Sequence, residues 1–301
     1  MIDISHLTKR FNDKIALDDL TMTLAPGEVM GLIGQNGAGK TTTFRMILNF
    51  IQPSSGTISW DQAPISTTRR TQIGFLPEER GLYQKQTIEQ QVLYFAQLHG
   101  MSKYDAKRKL TELMKRLAVV GKVTDKVQTL SKGNAQKIQL ISTIIFEPNF
   151  LILDEPFSGL DPVNTALMMQ EIKRLQDQGS MILFSSHDMA GVEQLSDQIT
   201  MLKAGRTVLQ GRPTDIRAQF GRTELYLEAP IETASLAKIP GILSIVPRGA
   251  GRQIHLADAK VGETIFKLAT AKGYIPVFAQ EPPTLDAIFR EKASTNNQGG
   301  L

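Results

Sequence analysis

The chain contains no cysteine. Disulfides and thiolate metal sites are therefore excluded, and the composition suits a reducing compartment. Long apolar runs are also lacking. The longest, such as Phe150–Leu153, fall far short of the roughly 18 residues that a bilayer-spanning helix needs, so any work at a membrane would pass through another chain. No sign of charge dominates. Residues 1–221 carry 25 Lys and Arg against 22 Asp and Glu, and the remainder carries 9 against 8, which leaves no basic stripe for nucleic acid. The first residues, Met1–His6, carry charge where a secretory leader would need an apolar core, and no leader is predicted. Aromatics make up only 6% of the chain, with a single tryptophan. With 41% hydrophobic and 21% charged residues, the composition is that of a globular protein rather than a disordered or fibrous one.

The 301 residues suffice for one large domain and a smaller one. Residues 1–30 alternate in strand fashion around Asn12-Asp13, and Pro26-Gly27 breaks the chain. Val29–Ile33 reads as a short buried strand, Thr42–Phe50 as a helix, and Thr57–Trp60 and Ile73–Leu76 as further strands. Between about 82 and 148 the pattern turns helical, with periodic segments at Glu89–His99, Lys103–Ala118 and Lys137–Phe146. Apolar strands Phe150–Leu153 and Met181–Ser185 flank a helix over Pro162–Gln178, an alternation that predicts a parallel sheet. From about Arg222 a second pattern begins. Strands at Leu225–Glu228, Ile242–Val246, Gln253–Leu256 and Tyr274–Phe278, with helices at Thr233–Lys238 and Gly262–Ala271, give the β-α-β-β-α-β order of ferredoxin-like folds. The expected division is 1–221, 222–293 and a polar, mobile tail over 294–301.

Two segments carry chemistry. Gly34, Gln35, Asn36, Gly37, Ala38, Gly39, Lys40 and Thr41 fit the phosphate-loop pattern between a predicted strand and a predicted helix. Glycines let backbone N–H groups curl around phosphates, and the following helix points its positive end at the same anion. Lys40 reaches the β- and γ-phosphates, the Thr41 hydroxyl ligates Mg²⁺, and Thr42 adds a hydroxyl contact. The second segment is Phe150–Leu153, an apolar strand that ends in Asp154 and Glu155. Ligands of open α/β sheets bind at the carboxyl ends of strands. There Asp154 can hold Mg²⁺ and Glu155 can act as general base toward the attacking water. A base at this position predicts an ATP-hydrolysing enzyme rather than a nucleotide-binding scaffold.

Three further segments, Leu130-Ser-Lys-Gly-Asn-Ala-Gln-Lys137, Ser158-Gly-Leu-Asp161 and Ser185-Ser-His-Asp188, complete a set whose order resembles the ABC ATPase family over about residues 1–220. The resemblance implies a P-loop NTPase core with a helical subdomain, and it implies roles for matching positions. Phe11 would stack on adenine. Ser131, Lys132, Gly133 and Asn134 would form the signature that meets the γ-phosphate of ATP held by a partner chain. Ser131 also reads independently as a helix N-cap. Asp161 would lie on the loop crossing between subunits, and His187 would be the switch histidine bonding the γ-phosphate.

Two motifs depart from the common family pattern. Lys132 and Asn134 stand where glycine and glutamine are usual, and Glu78 stands where a glutamine usually contacts Mg²⁺ and water. A carboxylate there can still ligate the metal. These variants, the run Pro77-Glu-Glu-Arg-Gly-Leu-Tyr83 and the ending Pro282–Phe289 resemble the bacterial ABC-2-type ATPases of sodium-efflux and drug-resistance exporters. That resemblance implies ATP and Mg²⁺ as ligands and an ATP-sandwiched dimer, either of this chain or with a similar ATPase chain. It also implies a separate ABC-2-type membrane permease and a cytoplasmic position on the inner face of the membrane. The alternative, a soluble ABC ATPase acting on ribosomes or DNA, would be expected to carry two ATPase domains or long coiled coils. This chain has one motif set and no sustained heptads. Trp60 is read as hairpin packing and the methionines as core or helix filler, and His6, His99 and His255 are given no functional role.

Overall fold

The computed structural model describes residues 1–65, 71–79, 81–271 and 273–294. It divides into two compact units, Met1–Gly211 and Arg212–Leu301. The expected boundary was Gly221. The break falls earlier because a helix over Pro213–Gln219 packs against the last helix of the second unit, Leu285–Ser294. The expected tail beyond Ser294 lies outside the described residues, as does Arg80.

The first unit opens with antiparallel strands β1 (Ile2–Phe11) and β2 (Lys14–Leu24), then β3 (Val29–Gly34) and helix α1 (Lys40–Ile47). Strands β4 (Ser55–Trp60), β5 (Ala63–Pro64) and β6 (Ile73–Leu76) lead to helices α2 (Ile88–Leu98), α3 (Lys103–Arg116) and α4 (Lys132–Ile144). Then come β7 (Phe150–Leu153), α5 (Pro162–Asp177), β8 (Met181–Ser186), α6 (Met189–Leu195) and the hairpin β9 (Gln198–Lys203) with β10 (Arg206–Gly211). Two sheets result, a four-stranded one in the order β2-β1-β4-β5 and a six-stranded one in the order β10-β9-β3-β8-β7-β6. Within the second, β6, β7, β8, β3 and β9 run parallel and β10 is an antiparallel edge.

The parallel strands are short and largely apolar because both faces are covered. Every residue of β3, β7 and β8 is buried. Strand β2 instead alternates, with Leu20, Met22 and Leu24 inside and residues between them exposed, as a strand with one solvated face must. Its apolar face joins Ile2, Ile4, Phe44, Ile47, Phe150 and Leu183 in one core between the two sheets. Trp60 belongs to this core and meets Phe150 edge-on, with ring centroids 6.0 Å apart.

The helical segment is fixed by caps. Thr87 and Gln90 make a reciprocal capping box at the start of α2, the side chain of Ser102 caps α3, and that of Ser131 caps α4. The Ser131 cap starts α4 at Lys132, five positions before the apolar periodicity becomes legible at Lys137. A buried carboxylate ties α3 to α5: Glu171 accepts from Arg174 at 2.8 Å and from Arg116 at 3.1 Å.

The second unit begins with α7 (Pro213–Gln219), followed by β11 (Glu224–Glu228), α8 (Thr233–Leu236), β12 (Ile242–Arg248), β13 (Gly251–Leu256), α9 (Val261–Thr270), β14 (Val277–Glu281) and α10 (Leu285–Ser294). Its sheet runs β12-β13-β11-β14, antiparallel throughout, the strand order of the ferredoxin-like fold expected from the sequence. Leu225, Leu227, Ile254, Leu256 and Ile265 form its separate core. The last strand lies three residues later than expected, because pairing of Phe278 with Leu227 and of Glu281 with Glu224 sets its register. No helix among the described residues is long and apolar enough to cross a membrane.

Phe150 is fully buried where both sheets and Trp60 meet. Phe150→Ala removes that packing and leaves a cavity, at a cost of about 3–5 kcal/mol. The urea midpoint of the first unit's transition falls accordingly, with its m-value unchanged.

Candidate nucleotide site

The site is built where β3, β7 and β8 end side by side. Leu32 pairs with Ser185 and Ile33 with Ser186, while Leu153 pairs with Phe184. Parallel pairing therefore delivers the glycine loop, the acidic pair and the Ser185–Asp188 segment to one edge of the sheet.

The loop from Gly34 to Gly39 carries three glycines at positive φ, with Gly37 at 80° and Gly39 at 113°. Gly39 has a second constraint, because a Cβ there would lie 2.8 Å from the Ala16 carbonyl oxygen. No side chain caps α1 behind Gly39, so its first N–H groups stay free for a ligand. Gln35, Asn36 and Gly37 form the exposed rim and Ala38 is buried. The turn between β9 and β10 braces the loop from behind: Gly205 N donates to Ala38 O at 3.1 Å, and Gly205 O accepts from Asp18 N at 2.8 Å. That support was invisible in the sequence because it joins residues far apart along the chain.

Lys40 is only 8% exposed. Its Nζ arches back over the loop and donates to Gly34 O at 2.7 Å and Gln35 O at 3.3 Å. Thr41 is exposed and Thr42 half-buried. The Thr41 Oγ1 stands 3.5 Å from Asp154 Oδ2, too long for a strong hydrogen bond between them. Asp154 is 4% exposed and its other oxygen accepts from Ser185 Oγ at 2.6 Å.

Ser185, which motif reading left without a role, links the two acids. Its hydroxyl donates to Asp154 and accepts from Glu155 N at 2.9 Å. One side chain thus fixes the carboxylate of Asp154 and the backbone of Glu155. The signal available in the sequence was a serine at the carboxyl end of an otherwise apolar buried strand. Glu155 adopts φ 49°, an uncommon conformation for a residue with a side chain. Its Oε2 lies 2.8 Å from His187 Nδ1. The histidine is largely exposed and Glu155 largely buried.

Other expected residues lie apart from this cluster. Phe11 ends β1 as an exposed ring with Lys9 Nζ 5.0 Å from its centroid. Glu78 is exposed on the loop after β6. The strand from which that loop leaves borders the site, where Asp154 N donates to Leu76 O at 2.8 Å. No group of three or more His, Asp or Glu side chains placed to hold a metal occurs among the described residues.

The signature residues open α4. Ser131 Oγ accepts from Asn134 N at 3.3 Å. The Asn134 amide is engaged within its own chain. Its Oδ1 accepts from Val120 N and its Nδ2 donates to Val120 O, both at 3.2 Å, which pins α4 to the loop after α3. Gly133 abuts the start of α5, since a Cβ there would lie 3.1 Å from Asn164 Nδ2. Asp161 caps α5, accepting from Asn164 N at 2.9 Å, and this bond holds its carboxyl below the usual aspartate range. Further along α4, Lys137 is buried and donates to Ala118 O at 3.2 Å. Burial lowers its pKa, and Asp161 opposes the shift. Gln136 Nε2 donates to Pro156 O at 3.1 Å and Gln139 Nε2 to Pro77 O at 3.2 Å. Helix α4 therefore holds both the loop after Asp154 and the loop bearing Glu78.

Comparison with known proteins agrees with this geometry. The ABC transporter family profile matches residues 17–158, and that of the C-terminal domain of DrrA1-3-like ATP-binding proteins matches residues 211–293. The chain is 41% identical over 292 residues to the ABC transporter ATP-binding protein YhaQ of Bacillus subtilis (strain 168), covering 97% of this chain and 98% of that protein. It is 32% identical over 303 residues to Nod factor export ATP-binding protein I of Rhizobium meliloti, covering 96% of this chain and 86% of that protein. A solved structure of an ATP-binding subunit of an ABC transporter superposes with a TM-score of 0.68 at 31% identity, over 73% of this chain and 93% of that one. The chain therefore belongs to the ABC transporter family, as an ATP-binding subunit that hydrolyses ATP.

Proposed function

We propose that this subunit powers export through a separate ABC-2-type permease. It would work on the inner face of the membrane as half of a dimer that sandwiches two ATP molecules. The observation that carries the catalytic part is the bridge made by Ser185, which aligns Asp154 and Glu155 opposite Thr41 and the free N–H groups of α1. Export and the ABC-2-type partner rest on kinship with an export ATP-binding protein and on the match of the second unit to a DrrA1-3-like C-terminal domain.

In this reading the loop N–H groups and Lys40 neutralise the β- and γ-phosphates, and Phe11 offers an exposed ring to the adenine. Thr41 and Asp154 present hard oxygen donors across a short gap, a donor set suited to Mg²⁺, with Glu78 on the neighbouring loop as a further oxygen donor. Bound there, Mg²⁺ would neutralise charge on the β- and γ-phosphate oxygens. Glu155 takes a proton from the attacking water as the water oxygen bonds to the γ-phosphorus and the bond to the bridging oxygen of ADP breaks. His187 steadies the Glu155 carboxylate through its 2.8 Å contact and stands exposed beside the γ-phosphate position. Ser131 and Gly133, at the capped start of α4, meet the γ-phosphate of the partner chain's ATP. Asp161 lies on the loop that crosses toward that chain.

Glu155→Gln removes the base and keeps the binding groups. ATP affinity stays near wild type, turnover falls about 10²- to 10⁴-fold, and the variant accumulates as an ATP-dependent dimer in sedimentation. An ATPase rate near wild type would remove Glu155 from this role. Lys40→Ala leaves phosphate charge uncompensated and weakens ATP binding about 10- to 100-fold by calorimetry. Unchanged affinity would contradict the phosphate-loop assignment.

Ser131→Arg tests action across the dimer. Separate chains keep their ATP affinity but hydrolysis is lost. A covalently linked dimer pairing Ser131→Arg with Lys40→Ala puts both lesions on one composite site and still occludes ATP at the other. Absence of occlusion there would refute the shared-site arrangement.

A further inference from the structure

Glu155 holds a positive φ of 49°, a conformation that persists only where the surroundings fix it. Its own backbone groups are both engaged. The N–H donates to Ser185 Oγ at 2.9 Å, and the carbonyl accepts from Ser158 N at 3.1 Å. The next residue, Pro156, is buried and has no N–H of its own. Its ring fixes φ, so the peptide that follows turns about ψ alone. The carbonyl of that peptide is held from outside the loop. Gln136 Nε2 donates to Pro156 O at 3.1 Å, from a side chain only 4% exposed. No backbone N–H among the described residues reaches that oxygen.

Gln136 stands on α4, and the same helix touches the loop further along. The Lys132 side chain lies across Gly159, where a Cβ would collide with its Nζ, and Gly133 abuts Asn164 at the start of α5. Three positions after Gln136, Gln139 Nε2 donates to Pro77 O at 3.2 Å and to Glu79 O at 3.4 Å, on either side of Glu78. Two amides on one helix face thus hold the backbone beside two carboxylates, Glu155 and Glu78.

We propose that Gln136 is a positioning residue for hydrolysis. Its amide fixes the peptide after Glu155 and makes alignment of the base depend on the seat of α4, the helix that Ser131 opens. The inference rests on Glu155 as general base and deepens that reading. An apolar side chain of equal length cannot replace the glutamine, because the buried Pro156 carbonyl would then lack a donor. With that bond gone, ψ of Pro156 is released, and the turn at Glu155 loses one of the restraints that maintain it. Nucleotide binding is untouched, because Lys40, Thr41 and the loop N–H groups stand on other elements.

The test is a double-mutant cycle on the full chain, with ATP as substrate: wild type, Gln136→Met, Glu155→Gln and the two combined. Methionine keeps the length of the side chain and removes its donor. In Gln136→Met, ATP affinity by calorimetry and KM stay near wild type, while kcat falls about tenfold. In the Glu155→Gln background, where single-turnover measurement reads the residual rate, Gln136→Met lowers it no further. An unchanged kcat in Gln136→Met overturns the inference. An equal fall in both backgrounds also overturns it, because Gln136 would then act independently of Glu155. A matching loss of ATP affinity does the same, since the defect would then lie in general packing. Gln136→Asn, whose amide falls short of Pro156 O, must show the same pattern and stands in if the methionine variant fails to fold. A Glu155→Gln rate near wild type would instead refute the base reading itself, whatever Gln136→Met does.

Discussion

Parallel pairing of three buried strands is the constraint from which the rest of the first unit follows. Strands β3, β8 and β7 are too short to hold a site individually, but their register brings their carboxyl ends level. At that edge the chain leaves the apolar layer and polar groups first become tolerable. Gly34, Asp154 and Ser185 all stand there. The site is thus a by-product of burial: the strands are apolar because both faces are covered, and chemistry starts where the cover ends.

Once the strand ends are aligned, short hydrogen bonds convert proximity into fixed geometry. The Ser185 hydroxyl works in both directions, donating to Asp154 and accepting from Glu155 N. Neither acid can shift without leaving a buried polar group unpaired, which costs about 1–3 kcal/mol. The positive φ of Glu155 is strain maintained by this bond and by the strand register behind it. His187 then completes a line of contacts from Thr41 through Asp154 and Ser185 to Glu155 and the exposed imidazole.

Helix α4 connects this centre to the parts that act at a distance. Gln136 and Gln139 on one side grip the loops after Asp154 and after β6. Asn134 and Lys137 hold the loop after α3, and Lys132 and Gly133 lie against the loop and first turn of α5. A displacement of α4 is therefore felt at the acidic pair, at the loop carrying Glu78 and at Asp161 together. The substitutions that distinguish this signature, Lys132 and Asn134, both take part in that linkage within a single chain.

Local sequence determined the phosphate-loop pattern, the acidic strand end, the Ser131 cap, the main strands and helices of the first unit up to β8 and the β-α-β-β-α-β core of the second. Each depends on residues close in the chain: glycines that admit positive φ, an apolar run followed by acids, a hydroxyl three positions from the N–H it accepts. The shift of the last strand to Val277–Glu281, the assignment of Pro213–Gln219 to the second unit and the true start of α4 needed more than periodicity. Pairing partners and caps, not the hydrophobic pattern, set those limits. Only the tertiary structure disclosed the two-way bridge of Ser185, the brace of Gly205 behind Ala38, the inward use of the Asn134 amide and the placement of Lys132 over Gly159. These contacts join segments that no local pattern relates, because sheet register and helix packing alone bring them within hydrogen-bonding and van der Waals distance.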